Sequence, residues 1–300
     1  MTPRASPCEC LFSMSAQKSK SPQSLRLKDG RVIRFPAVMG ILNVTPDSFS
    51  DGGRFLDPDR AAAHALAMEA AGATIIDVGG ESTRPGAAMV SAEDELDRVL
   101  PVIEELRDRL KVPISIDTRK AVVASAALDE GAAIVNDVSG LTFDRAMAAA
   151  VAQADAALIV MHMRGVPATM DRLARYADVV AEVRAFLERQ AQAAISAGVD
   201  RSRIILDPGL GFAKNARHNL ALVGGLSELC ALGYPVLVGA SRKRFVRAIA
   251  GDGETDSSFG TAAVNALAIA AGASIVRVHE PGPAVAVVKM AVAIAEHIRA

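Results

Sequence analysis

Three hundred residues allow two domains at about 150 each, and a single α/β barrel of roughly 250 residues fits the same length. Thirty-three Lys and Arg against 34 Asp and Glu leave a net charge of -1, which argues against bulk attraction to nucleic acid or to an anionic membrane surface. Apolar residues make up 51% and no run of 18 uncharged apolar residues occurs, so the composition is that of a folded globule and not of a disordered or membrane-spanning chain.

Residues 1–24 are rich in Ser, Pro and Lys and lack the apolar core of a secretory signal, so they are expected to be a disordered extension ahead of one domain over 25–300. Three cysteines, two of them at Cys8 and Cys10, are too few for a disulfide framework or a four-ligand zinc site. A reducing cytoplasm is the expected compartment. Leu25 to Lys28 and Arg31 to Arg34 alternate apolar and polar residues around Asp29-Gly30, which predicts a β-hairpin capping one end of the domain.

Short apolar runs then alternate with Ala-rich segments of helical period. The predicted strands are Val38–Leu42, Thr74–Val78, Ile114–Ile116, Ala133–Val135, Ala157–Met161, Ile204–Leu206, Val236–Val238 and Ile275–Val278. Helices are predicted at Pro58–Ala71, Glu93–Leu110, Asp178–Ala197 and Ser257–Ala271, with Gly72, Gly131, Gly198, Gly233 and Gly272 as stops. Strands that are apolar throughout are buried on both faces, and eight strand-then-helix units predict an α/β fold, a single (β/α)8 TIM barrel. A doubly wound sheet split in two is the structural alternative.

In such a barrel the chemistry gathers at the carboxyl ends of the strands. Those ends carry Asn43; Asp77 with Glu81 to Arg84; Asp117; Asn136-Asp137; His162; Asp207; Ser241-Arg242-Lys243; and Arg277 with His279. Ser241, Lys243, Arg277 and His279 form a donor-rich group suited to phosphate, whereas Asp117, Asn136, Asp137 and Asp207 form an acceptor group suited to a heterocycle with several N–H donors. The long loops Thr45–Asp57 and Gly79–Val90 are dense in Gly, Pro, Ser and Asp, the composition of active-site lids. Asn43, at the base of the first, can offer one hard oxygen ligand to magnesium on a diphosphate. A nucleophile elbow, a dinucleotide fingerprint, a Walker loop and a His-Glu-x-x-His motif are all missing or broken in the sequence.

As strings, the strand ends read MGILNVTPDSFSDGG from Met39, DVGGESTRPG from Asp77, IDT from Ile116, VNDVSG from Val135, MHM from Met161, LDPGLGF from Leu206, GASRK from Gly239 and RVH from Arg277. Together they closely resemble the dihydropteroate synthase family, over residues from about 37 to the end. The resemblance implies a folate-pathway transferase and sulfonamide target that joins 4-aminobenzoate to 6-hydroxymethyl-7,8-dihydropterin diphosphate, releasing pyrophosphate. It implies that Asp117, Asn136, Asp207 and Lys243 hold the pterin, with Met161 and Phe212 as its walls. Asn43, Arg277 and His279 match the diphosphate and Mg2+ region, with Asn43 the metal ligand. Thr83, Arg84, Pro85, Ser241 and Lys243 match the aminobenzoate region. Asp51 and Arg84 match residues that act when the loops close, and with Lys243, Arg277 and His279 they make the implied catalytic set. A cytoplasmic homodimer binding small molecules, and neither nucleic acid nor membrane, is implied as well.

Three departures stand out, one of them the extra leader over residues 1–24. Ala213 replaces the family's usual Gly after Gly211-Phe212, where positive φ is expected to be restricted, and Glu280 replaces Asp after His279. Competing readings are a non-catalytic pterin-binding paralogue and a pterin-dependent methyltransferase with a corrinoid partner. The methyltransferase would not need Thr83, Arg84 and Pro85.

Overall fold

The structure, a computed structural model, describes residues 22–45, 57–82, 86–87 and 89–299. Most of the extension expected over residues 1–24 lies outside that range. Strands β1 (Ser24–Arg26) and β2 (Val32–Arg34) pair antiparallel with Leu25 opposite Ile33. Gly30 closes the turn between them at φ 87°, its N–H donating to Leu27 O.

Eight parallel strands follow: β3 (Ala37–Asn43), β4 (Ile75–Gly79), β5 (Ile114–Asp117), β6 (Ile134–Asp137), β7 (Ala157–Met161), β8 (Ile204–Asp207), β9 (Leu237–Val238) and β10 (Ile275–Val278). Each lies within two residues of its predicted span at either end. Their hydrogen-bonded order runs β8-β7-β6-β5-β4-β3-β10-β9, and the ring closes where Leu206 N donates to Pro235 O at 2.9 Å and Leu206 bridges Val236. Closure between β8 and β9 excludes the open, doubly wound sheet.

The intervening helices are α1 (Pro58–Ala70), α2 (Ala92–Arg107), α3 (Ala121–Asp129), α4 (Met147–Ala154), α5 (Val179–Ser196), α6 (Ala216–Gly224), α7 (Leu226–Cys230), α8 (Arg244–Ala250), α9 (Glu254–Ala270) and α10 (Pro281–Arg299). Their starts follow from local chemistry. Asp57 caps Arg60 N ahead of Pro58, Ser91 caps Asp94 N, and Asp178 caps Val180 N and Ala181 N. The helix predicted through Leu110 ends at Arg107 because Arg109 N and Leu110 N both bond Leu106 O, tightening the last turn.

Side chains alternate across each strand with a period of two, and the barrel uses both faces. Val38, Leu42, Ile76, Val78 and Ile116 point outward into the interface with α1 and α2. Met39, Ile75, Ile134, Ile159, Ile205, Leu237 and Ile275 point inward and pack with Leu25, Leu27 and Ile33 of the hairpin. The hairpin therefore plugs the amino end of the barrel with an apolar stopper, and all chemistry is left to the carboxyl end.

Candidate active site at the carboxyl end of the barrel

Two residues beyond the apolar inward layer, the same face turns polar. Ile75 is followed by Asp77, Ile134 by Asn136, Ile205 by Asp207 and Ile275 by Arg277, while on β5 both inward residues, Ser115 and Asp117, are polar. The layer that would complete an apolar barrel core is thus made of carboxylates, an amide and one guanidinium. Asp77 has no exposed surface, Asn136 is 2% exposed and Asp207 5%.

Arg277 organises this layer. Its Nε donates to Asp77 Oδ2 and its Nη2 to Asp117 Oδ2, both at 2.6 Å. The sequence predicts separate cationic and acidic groups, and here the structure corrects it. Strand β10 lies one strand from β4, across β3, and the guanidinium reaches inward to carboxylates on β4 and β5. Burial works against the charge on Arg277, but Asp77 and Asp117 outweigh it and raise its pKa. Burial, opposed by Arg277 and reinforced by Asp77, pushes Asp117 up to about 7.

Asn136 donates from Nδ2 to Asp77 Oδ2 at 3.0 Å. Its Oδ1 and Asp77 Oδ1 are buried without a hydrogen-bond partner among the described residues. Buried acceptors without donors carry a desolvation cost of about 1–3 kcal/mol each, so this floor is built for a ligand that donates. Sequence reasoning assigned Asp77 no binding role; its signal was the single carboxylate inside the apolar run Thr74 to Val78.

Asp207 accepts from Gly209 N at 2.7 Å through Oδ1. Burial raises its pKa to about 6 even with Gly209, Lys243, Arg277 and Lys214 opposing. Lys243 Nζ sits 3.9 Å from the centroid of the Phe212 ring. Burial and Arg277 push Lys243 down to about 8 against Asp207 and Asp117. Met161 and Phe212 share one small apolar cluster with Val138, Met163, Met170 and Ala213. With three carboxylates (Asp77, Asp117, Asp207) against Arg277 and Lys243, the floor carries one excess negative charge when fully ionised.

At the rim, Ser241 Oγ lies 2.9 Å from His279 Nδ1 and accepts from His279 N at 3.3 Å. Glu280 reaches Arg242 Nη2 at 2.8 Å, so the carboxylate substituted there ties together the loops after β9 and β10. Asn43 ends β3, half-buried, and among the described residues no group of three His, Cys, Asp or Glu could hold a metal alone. Asp51, Thr83, Arg84 and Pro85 lie outside the described residues.

One side-chain cluster went unread in the sequence. Glu81 takes Arg119 Nη2 at 2.5 Å and Lys120 Nζ at 2.8 Å, and Lys120 also bonds the buried Glu95. Burial favours a neutral Glu81, but Arg119 and Lys120 hold its pKa below the usual range. Val90 N also reaches Glu81 Oε1, at 3.4 Å, so one carboxylate gathers both ends of the loop from 81 to 90. Asp137, grouped in the sequence with the ligand-facing acceptors, instead turns back to accept from Ser139 N and Leu141 N. Ala213 departs too: it adopts φ 50° despite its Cβ, a conformation costing about 1–2 kcal/mol, with Tyr176 Oη donating to its carbonyl at 3.0 Å.

Comparisons with known proteins agree with the barrel fold. The family model for pterin binding enzymes matches residues 39–279. The dihydropteroate synthase of Mycobacterium leprae is 54% identical over 250 residues, covering 81% of this chain and 88% of that one. Among solved structures, Xanthomonas albilineans dihydropteroate synthase with 4-aminobenzoic acid superposes with a TM-score of 0.84 at 42% identity, covering 90% of this chain and 98% of that one. The same enzyme in complex with 7,8-dihydropteroate gives 0.81 at 39% identity, with the same coverage.

Proposed function

The chain belongs to the dihydropteroate synthases of the pterin-binding enzyme family, and from that premise we propose that it condenses 6-hydroxymethyl-7,8-dihydropterin diphosphate with 4-aminobenzoate, giving 7,8-dihydropteroate and pyrophosphate. The observation that carries this reading is the acceptor floor. In the layer that holds Asp207 and Asp117, the buried oxygens Asp77 Oδ1 and Asn136 Oδ1 lack donors among the described residues, and a pterin edge presents an amino group and an adjacent ring N–H. Asp207 accepts from both of these, Asn136 and Asp117 take the remaining ring contacts, and Phe212 and Met161 close over the apolar faces. Lys243, held over Phe212, supplies a donor to the ring's own acceptors.

The chemistry needs no strong general base, because the aminobenzoate amine is already neutral at pH 7 and needs positioning more than deprotonation. The bond from the pterin methylene to the diphosphate oxygen breaks with its electron pair leaving on oxygen, and the amine lone pair forms the new C–N bond. The amine then sheds its extra proton to solvent. Donors at Ser241, His279 and the outer edge of Arg277 stabilise the departing anion, while Asp51 balances the positive charge spread into the pterin. Thr83, Arg84, Pro85, Ser241 and Lys243 orient the aminobenzoate.

Asn43 would hold magnesium. A single amide oxygen suits Mg2+, which keeps several waters and shares its shell with substrate phosphates, and does not suit a metal caged by protein alone. When bound, the ion would neutralise charge on the leaving diphosphate.

Exposed apolar side chains on adjacent helices support a homodimer: Phe259 and Leu267 on α9, and Met290 and Ile294 on α10, are all more than half exposed. Sedimentation equilibrium is expected to give twice the chain mass; a species of 31.2 kDa would overturn the dimer. Three cysteines are too few for a disulfide framework, which fits the cytoplasm. No helix among the described residues is long and apolar enough to cross a membrane.

The deciding assay is pyrophosphate release from the dihydropterin diphosphate, with and without 4-aminobenzoate and with magnesium supplied or chelated. Release that requires magnesium, accompanied by dihydropteroate, is expected. Tight pterin binding with no turnover would favour the non-catalytic paralogue instead.

A pH prediction follows from Asp117 and Asp207. Their pKa values in the empty fold, about 7 and about 6, lie above the ordinary 3.8. Their contribution to stability is therefore full at low pH and is lost as pH rises through those values. A ring that donates to the carboxylates favours their charged form, so the Tm increase produced by 6-hydroxymethylpterin should grow between about pH 5 and 7.5. A pH-independent increase would mean that the ring does not bond these groups.

A further inference from the structure

Two buried groups at the carboxyl end take no part in the chemistry above. His162 follows β7 and Lys214 follows the loop after β8; they are 2% and 4% exposed. Lys214 Nζ lies 2.9 Å from His162 Nδ1, 3.2 Å from His162 O, 3.0 Å from Gly209 O and 2.9 Å from Phe212 O. An ammonium has three hydrogens, and four protein acceptors already surround it, so nothing remains for a substrate. The imidazole is neutral, burial foremost and then the Lys214 charge pushing it down to about 2. Burial also lowers the Lys214 pKa, against Asp207, but the three carbonyls within 3.2 Å of Nζ accept only from its hydrogens and favour the ammonium, to which His162 Nδ1 then accepts.

The loop from Pro208 to Ala213 is wound about this amine. Gly209, at φ 67°, lies so close to β7 that a Cβ there would come 2.1 Å from His162 O. Its N–H holds Asp207 Oδ1. Gly211 N is fixed by Asn219 Oδ1 at 2.8 Å, and a Cβ on Gly211 would meet the Lys243 stem at 2.9 Å. Ala213 completes the loop in its left-handed conformation. Two of the carbonyls bound by Lys214 thus belong to the two residues, Gly209 and Phe212, that set the direction of the Asp207 carboxylate and of the aromatic wall.

We propose that Lys214, seated on His162, is a positioning residue of the pterin subsite: by gathering the carbonyls of Gly209 and Phe212 it fixes the loop that aims Asp207 and Phe212 at the bound ring. The inference rests on the pterin reading of the site. It separates Lys214 from Lys243, whose ammonium faces the ligand space, and it gives His162 a role as the neutral acceptor that completes the shell around a buried cation.

The test compares Lys214→Met and Lys214→Gln with the wild-type protein, measuring the Kd for 6-hydroxymethyl-7,8-dihydropterin diphosphate by calorimetry well below the Tm of each variant, and the KM for 4-aminobenzoate. Lys214→Met is expected to weaken pterin binding at least about tenfold while the aminobenzoate KM stays within about twofold, and Lys214→Gln, which keeps two donors, to fall between. If Lys214→Met does not fold, Lys214→Gln carries the same comparison. Pterin affinity equal to wild type in a folded variant, with the change confined to Tm, would show Lys214 to be structural only and overturn the proposal. Equal losses for both substrates would overturn it too. A wild-type protein that does not bind the pterin would instead bring down the proposed function, and this inference with it.

Discussion

Asp207→Asn is expected to lower kcat/KM by about 10³ or more, roughly 4 kcal/mol of transition-state binding, while making the empty protein more stable at neutral pH. The two effects share one cause. Asp207 is buried, and its raised pKa of about 6 means that the fold bears a cost for holding a charge there. Asparagine has the same shape and removes that cost. Its one oxygen remains on Gly209 N, where Asp207 Oδ1 now sits, and its NH2 is turned toward the ring's donors. A site that pairs donor against donor rejects its ligand far more strongly than one that loses a methylene. Thermal denaturation and steady-state kinetics on the same preparation decide the matter. If Asp207→Asn kept more than a tenth of wild-type kcat/KM, the bidentate role of Asp207 would be wrong.

Arg277→Met is expected to remove activity and to destabilise the fold by about 3–5 kcal/mol, or about 10 °C in Tm. The guanidinium separates Asp77 from Asp117, and without it two buried carboxylates face each other across the space it filled. Asp117, already raised by burial and now without the Arg277 charge that opposes it, then takes up a proton at neutral pH. Because the folded-state pKa rises still further above the unfolded value, the loss should be greatest near pH 7.5 and shrink toward pH 5, where protonation relieves the repulsion. An equal Tm at neutral pH would show that Arg277 is an anion-binding side chain alone, as its position beside His279 suggested from the sequence. The clamp instead ties Arg277 to the acidic floor, its Nε held by Asp77 and its Nη2 by Asp117.

Much of this protein was legible in the chain, for reasons that are local. A run such as Ile75-Ile76-Asp77-Val78 declares a strand buried on both faces. Stops such as Gly72 at φ 97°, caps such as Asp57 and Ser91, and the Asp29-Gly30 turn depend on neighbours only a few residues away. The strings at the strand ends carried the family, and they brought Asp117, Asn136, Asp207, Phe212 and Lys243 to one end of one barrel, where the structure finds them.

What the chain could not disclose is which charges pair. Arg277 and Asp77 are 200 residues apart, Lys214 and His162 are 52 apart, and Lys120 reaches Glu95 from another strand end. Each pairing exists because neighbouring strands are set in one register, after which low dielectric makes an unpaired charge too costly to keep. Sequence reading therefore sorted the polar residues by sign, as if each acted alone, and assigned Asp137 to a ligand when its own turn had claimed it. Hydrophobic period and turn chemistry are properties of a segment and were determined by the sequence alone. The electrostatics of the site belong to the closed barrel, and only the tertiary structure decided them.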